Sequence, residues 1–166
     1  MNIPALVSRL NHRFPALLVD AVAAHDPGKR LTAVKNATVN EGFFAGHFPG
    51  TPVLPGVLMI ETMAQIGGWL VLATLRFASM PFLIQVKEAK MRNFVTPGRL
   101  LQAEATLVHD GSGFAVVEAA ITADGRKTAE AEIRYRVVPF PNETLRAQML
   151  DTARRIAVPE EFLNAA

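Results

Sequence analysis

A histidine and a glutamate flank the point where a stiff loop runs into the longest apolar segment of the chain. His47 lies in Gly46-His47-Phe48-Pro49-Gly50-Thr51-Pro52-Val53-Leu54-Pro55-Gly56, and Glu61 lies just inside the run that follows, with Gln65 one helical turn beyond it. The loop holds three prolines and three glycines. Proline fixes φ and glycine permits positive φ, so such a loop takes one shape and lets a ligand close to its backbone. An imidazole titrates near neutral pH. A carboxyl set among apolar neighbours holds its proton more tightly than one in water. A base and an acid at one junction suit proton transfer. Taken singly, a loop histidine is more often structural, whereas a lone glutamate in an apolar helix is more telling, because an unpaired buried carboxylate is costly. His12, His25 and His109 read as structural or exposed. The chain has no cysteine, which excludes disulfides, thiolate nucleophiles and cysteine metal sites. His12, His47 and Glu61 do not form a ligand-spaced set, so neither a metal nor a cofactor is expected.

Positioning these groups falls to the surrounding elements. The apolar run predicts a helix from about Pro55-Gly56 to Ala78, roughly 30 Å at 1.5 Å per residue. Residues 57–75 are apolar enough to suggest a membrane span. Glu61, Gln65 and Gly67-Gly68 interrupt them, so the helix is read as buried core. Upstream, a short helix over 3–10 and a loop over 11–15 precede a hairpin of strands 17–25 and 31–39, joined by the turn Asp26-Pro27-Gly28-Lys29. Downstream the pattern turns to period two, with strands over 81–91, 100–109, 114–122 and 128–138. Their connections are read as too short for crossovers, which predicts an antiparallel meander. A final helix begins at Asn142-Glu143-Thr144, with Leu145, Met149 and Ile156 on one face and Arg154 and Arg155 at its end. The fold class is α+β: an antiparallel sheet wrapped around one long apolar helix, with an additional C-terminal helix. One domain over 1–138 is expected, with 139–166 as a helical extension packed on it.

The 166 residues are half hydrophobic and 19% charged, which excludes a disordered chain. A net charge of +2 says little about partners. Lys87, Lys90, Arg92 and Arg99 cluster with Glu88 the only acid among them, which reads as a solvated strand face or as a patch for an acidic partner. Few aromatics interleave them, so nucleic acid is not expected. The first ten residues lack a signal peptide's pattern, and a cytoplasmic location is expected.

His47-Phe48-Pro49-Gly50, Pro55-Gly56-Val57 and Glu61-Thr62-Met63-Ala64-Gln65 resemble the signature of the FabZ-type 3-hydroxyacyl-[acyl-carrier-protein] dehydratases. The resemblance extends through His12-Arg13-Phe14-Pro15, Leu17-Leu18-Val19-Asp20, Asp26-Pro27-Gly28 and Asn40-Glu41. It continues to Pro97-Gly98 and Ala129-Glu130-Ala131-Glu132, covering about residues 10–138. It departs from the family pattern at Asn11, Ala16, Ala21, Gly42, Leu83-Ile84-Gln85-Val86 and Arg99, and in the extension beyond Pro139. Those departures bear on substrate length, carrier and pathway rather than on reaction type.

The resemblance implies the hot-dog fold, in which a sheet wraps a central helix. It implies dehydration of a 3-hydroxyacyl thioester on acyl carrier protein to the trans-2-enoyl thioester, in fatty-acid or related lipid or polyketide synthesis. His47 would be the base, Glu61 the acid, and the Gly56 N–H the donor to the thioester oxygen, with the Val53 carbonyl orienting the imidazole and Gln65 holding the carboxyl. Lys87, Lys90, Arg92 and Arg99 become candidates for carrier docking. The family works as dimers or trimers of dimers, with each site shared between subunits. Glu rather than Asp at position 61, and Gly-Val at the helix start, resemble the type that does not isomerise the product. A hot-dog acyl thioesterase and a non-catalytic carrier-binding subunit are the competing readings.

Overall fold

The computed structural model describes residues 16–26 and 28–163. The helix predicted over 3–10, the loop over 11–15 with His12, and Pro27 of the first turn lie outside them. The elements run β1 (Ala21–Asp26), β2 (Arg30–Ala37), a 3-10 turn (Gly42–Ala45), α1 (Gly56–Thr74), β3 (Ser79–Met91), β4 (Arg99–Gly111), β5 (Phe114–Ala123), β6 (Arg126–Pro139), α2 (Glu143–Arg155) and a last 3-10 turn (Glu160–Phe162). The strands form one six-stranded antiparallel sheet in the order β1-β2-β4-β5-β6-β3. This is the hot-dog architecture.

The sheet wraps α1 with an apolar inner face, built from every second residue along its strands. Leu31 and Ala33 of β2, Leu101, Ala103 and Ala105 of β4, Val117, Ala119 and Ile121 of β5, and Ala131, Ile133 and Tyr135 of β6 are all buried. Many of these are alanines, and short side chains let a helix sit close to the strands. Met63, Ile66 and Leu70 of α1 are fully buried against them. By length and composition α1 could cross a membrane, yet most of it is buried inside the protein. At Gly67 the helix approaches the sheet closely, since a Cβ there would strike the Tyr135 hydroxyl and crowd Val117.

Two sequence expectations are corrected. The helix ends at Thr74, not Ala78. Arg76 and Phe77 take positive φ of 48° and 55°, and the Phe77 N–H turns back to the Leu72 carbonyl at 2.9 Å. This Schellman-type stop satisfies the last carbonyls and swings Phe77 into the core, fully buried. The meander holds only for β4, β5 and β6, because β3 is carried to the far edge beside β6 and β4 pairs with β2. Three strand spacings of about 4.8 Å separate β3 from β4, within the roughly 24 Å that the seven residues 92–98 can span. That connection crosses the end of the sheet: Arg92 N–H bonds the Thr128 carbonyl at 2.7 Å, Leu54 N–H the Val95 carbonyl at 2.7 Å, and Gly98 N–H the Ala37 carbonyl at 2.7 Å.

α2 packs its Leu145, Met149, Ala153 and Ile156 face into the same core. Asn142 caps it by accepting from the Leu145 N–H at 2.8 Å. Arg146 Nε donates to the Phe77 carbonyl at 2.9 Å, and the Ile156 carbonyl accepts from Val22 of β1 at 2.6 Å. The extension is thus fastened both to the end of α1 and to the sheet edge.

Candidate functional site

The loop before α1 is built around a tight turn. Phe48 and Thr51 exchange backbone hydrogen bonds across Pro49 and Gly50, and Gly50 has φ 78°. Proline at the first central position and a positive-φ glycine at the second are what a type II turn requires. The turn folds His47 back on Val53 through two bonds. Val53 N–H donates to the His47 carbonyl at 2.9 Å, and the imidazole Nδ1 lies 2.9 Å from the Val53 carbonyl. A carbonyl can only accept, so Nδ1 carries the hydrogen and the neutral ring keeps its lone pair on Nε2. The ring stacks on Phe48 with centroids 4.1 Å apart.

The other end of His47 is anchored by a pair the sequence reading did not single out. Lys35 of β2 is 3% exposed, and its Nζ meets Glu41 Oε1 at 2.6 Å. Glu41 Oε2 accepts from the Thr38 N–H at 3.1 Å, and the Glu41 carbonyl accepts from Phe44 of the 3-10 turn at 3.0 Å. The Phe43 carbonyl then accepts from the His47 N–H at 3.0 Å. A buried ion pair therefore holds the turn that presents the histidine. A lysine at an inward register position of β2, with a glutamate six residues on, was the signal available in the sequence.

Gly56 opens α1, and the first N–H groups of a helix have no partner within it. His47, Val53 and Gly56 line one cavity of about 370 Å³, together with Met91, Arg92 and Phe94. A backbone donor at the positive end of a helix beside an imidazole can stabilise negative charge as a proton leaves.

Glu61 lines a different cavity, of about 260 Å³. Gln65 Nε2 donates to Glu61 Oε1 at 2.8 Å and to the Ala16 carbonyl at 2.8 Å, while Gln65 Oε1 accepts from the Leu18 N–H at 2.9 Å. The buried amide is thus shared between the carboxyl and the segment leading into β1. Tyr135, the chain's single tyrosine, also borders this cavity and donates to the Ala64 carbonyl at 2.7 Å. Burial, and then the charge of Glu61, push its pKa up, so it stays a neutral donor.

The structure therefore groups His47, Val53 and Gly56, and separately Glu61 and Gln65. The two cavities share no lining residue. Each of the four basic candidates has a carboxylate near it. Arg92 borders the His47 cavity and pairs with Glu130, Lys90 stands near Glu88 at 3.8 Å on the outer sheet face, and Arg99 meets Asp124 at 2.8 Å. Lys87 faces Glu132 in register. Among the described residues no group of three His, Asp or Glu side chains could hold a metal ion.

A FabA-like domain model matches residues 10–132. A 3-hydroxyacyl-[acyl-carrier-protein] dehydratase FabZ from Clostridium acetobutylicum is 41% identical over 139 residues, 83% of this chain and 99% of that protein. One of the same name from Nitrosospira multiformis is 43% identical over 143 residues, covering 84% and 98%. A solved Streptococcus mutans protein bound to acetyl CoA superposes with TM-score 0.60 at 16% identity, covering 74% of this chain and 90% of that one. A Haemophilus influenzae thioesterase does so with TM-score 0.59 at 15% identity, covering 72% and 78%. At such identities these two likenesses speak for the fold alone.

Proposed function

The chain belongs to the FabA-like family, beside its FabZ-type members, and from that premise we propose that it dehydrates a 3-hydroxyacyl thioester carried on acyl carrier protein. The reaction breaks a C2–H and a C3–O bond and forms the trans-2,3 double bond. His47 Nε2 takes the C2 proton. The Gly56 N–H holds the thioester oxygen as negative charge builds there. Glu61 gives its proton to the departing hydroxyl, which leaves as water. His47 and Glu61 then exchange protons with solvent before the next turnover. The observation that carries this reading is the Nδ1–Val53 bond, which commits the histidine to the tautomer a base needs while Gly56 borders the same cavity.

His47 and Glu61 line separate cavities of one chain, which supports a site completed by Glu61 of a second copy. β3 is an edge strand with Leu83 and Ile84 exposed, and Phe94 is 87% and Val57 71% exposed around the His47 cavity and helix start. A second copy would cover this apolar surface. The assembly is then a homodimer, or a trimer of such dimers. Carrier docking belongs to the same reading, with Arg92 the basic residue nearest the His47 cavity and Lys87, Lys90 and Arg99 further out. A cytoplasmic location goes with it.

The test is turnover of a 2-enoyl thioester, with and without carrier protein. Hydration to the 3-hydroxy product without thiol release is expected. Free thiol would mean a thioesterase, 3-enoyl product an isomerase, and no turnover a carrier-binding subunit.

A further inference from the structure

The cavity that holds Glu61 runs along one stripe of α1. Glu61, Gln65, Gly68 and Leu72 recur at helical spacing and all line it. Eleven residues from Glu61 to Leu72 advance about 16 Å along the axis. The polar groups sit at one end, with Glu61 and Gln65. Toward Leu72 the wall is apolar, with Trp69 on the helix and Met80 and Phe82 from β3 opposite. A polar mouth and a greasy barrel suit an acyl chain whose reactive end stays at Glu61.

Two residues of the wall lie beyond the domain that the family model matches, Tyr135 of β6 and Met149. Met149 lines the cavity from α2, whereas the match ends at residue 132. Its place along the cavity follows from the docking of α2. Arg146 is bound to the Phe77 carbonyl, just past the C-terminal end of α1. Met149, three residues further on, shares the Arg146 side of α2 and so meets the cavity at the Leu72 end, remote from Glu61. The helix is held in place from both ends, by Arg146 on the Phe77 carbonyl and by Ile156, whose carbonyl accepts from Val22 of β1.

We propose that α2 closes the far end of the acyl cavity and that Met149 sets the longest chain the enzyme accepts. This rests on the dehydratase reading of the Glu61 cavity and adds the element that fixes substrate length. An unbranched thioether is also the side chain best able to adjust to tails that end at slightly different depths.

The experiment measures kcat/KM for hydration of straight-chain 2-enoyl thioesters of rising length by the full chain, by Met149→Ala and by Met149→Phe. Truncation to alanine should lengthen the cavity, and the first chain too long for the parent should gain about tenfold relative to the four-carbon substrate. Phenylalanine should shorten the series from the long end by a similar factor. Opposite shifts support the proposal, and either variant decides it if the other fails to fold. The same relative profile in a folded variant as in the parent, even with a lower Tm or a uniform loss of rate, would overturn it. Failure of the parent to hydrate any thioester would instead refute the dehydratase reading.

Discussion

Gln65 Nε2 donates to Glu61 Oε1 at 2.8 Å, from one turn further along α1. The same amide also grips Ala16 and Leu18, so the carboxyl is fixed to the segment entering β1 and not only to its own helix. Replacing Gln65 by Met keeps the volume and removes every one of these bonds. The expected result is a fall in kcat of about 10²-fold, the scale set by loss of alignment between reacting groups. Steady-state kinetics beside a melting curve check it, and unchanged kcat in a folded variant would remove Gln65 from the site.

Lys35 and Glu41 fasten the turn that presents His47. Lys35→Met leaves Glu41, only 18% exposed at its side chain, without its cation. Stability should fall by about 3 kcal/mol, as when one partner of a buried pair is removed. The double change with Glu41→Leu should cost less than the sum of the single changes. Denaturant unfolding measures both.

Gly67 and Tyr135 fit each other as a pair. Gly67→Ala drives a methyl against the Tyr135 hydroxyl. Overpacking of this kind costs about 1–3 kcal/mol. Tyr135→Phe alone loses the bond to Ala64 and costs about 1 kcal/mol. Combined with Gly67→Ala it should recover stability, because the clashing oxygen is gone. Additive losses in a thermodynamic cycle would show that the approach of α1 to β6 is not limited by this contact.

Acid should loosen the β3–β6 edge. Glu130 accepts from Lys127 and then from Arg92, and these bonds lower its pKa from 4.5 to about 2. Between about pH 4.5 and about 2 the folded chain therefore binds fewer protons here than the unfolded chain. The stability contributed is whole above that window and lost as the pH falls through it. Glu130→Gln should melt with a shallower acid limb across that range. Parallel Tm–pH curves for parent and variant would show that the pair contributes nothing.

Much of the fold was legible because its signals are local. The Asn142 cap, the apolar run of α1 and the alternation along β4, β5 and β6 each declare an element within a few residues. The end of α1 was not, because the stop uses positive φ at Arg76 and Phe77, residues with no glycine-like preference for it. The place of β3 was hidden because a seven-residue connection reads alike whether it joins neighbours or crosses the end of a curled sheet. At the site, the loop's composition and Glu61 stand out in the sequence. Met149 does not, because it joins the site only through the packing of α2 on distant elements, and the Lys35–Glu41 pair shows only as a lysine at an inward strand position with a glutamate six residues on.

The most direct test of the central claim is a mixed dimer. His47→Ala and Glu61→Ala chains are each inactive by this account. Unfolded and refolded together, they should pair at random, so that half the dimers are mixed and one of two sites in each is intact, giving about a quarter of parental activity per chain. Regained 2-enoyl thioester hydration near that level is the predicted result. Stable mixed dimers with no regained hydration would contradict a site built from His47 of one subunit and Glu61 of the other.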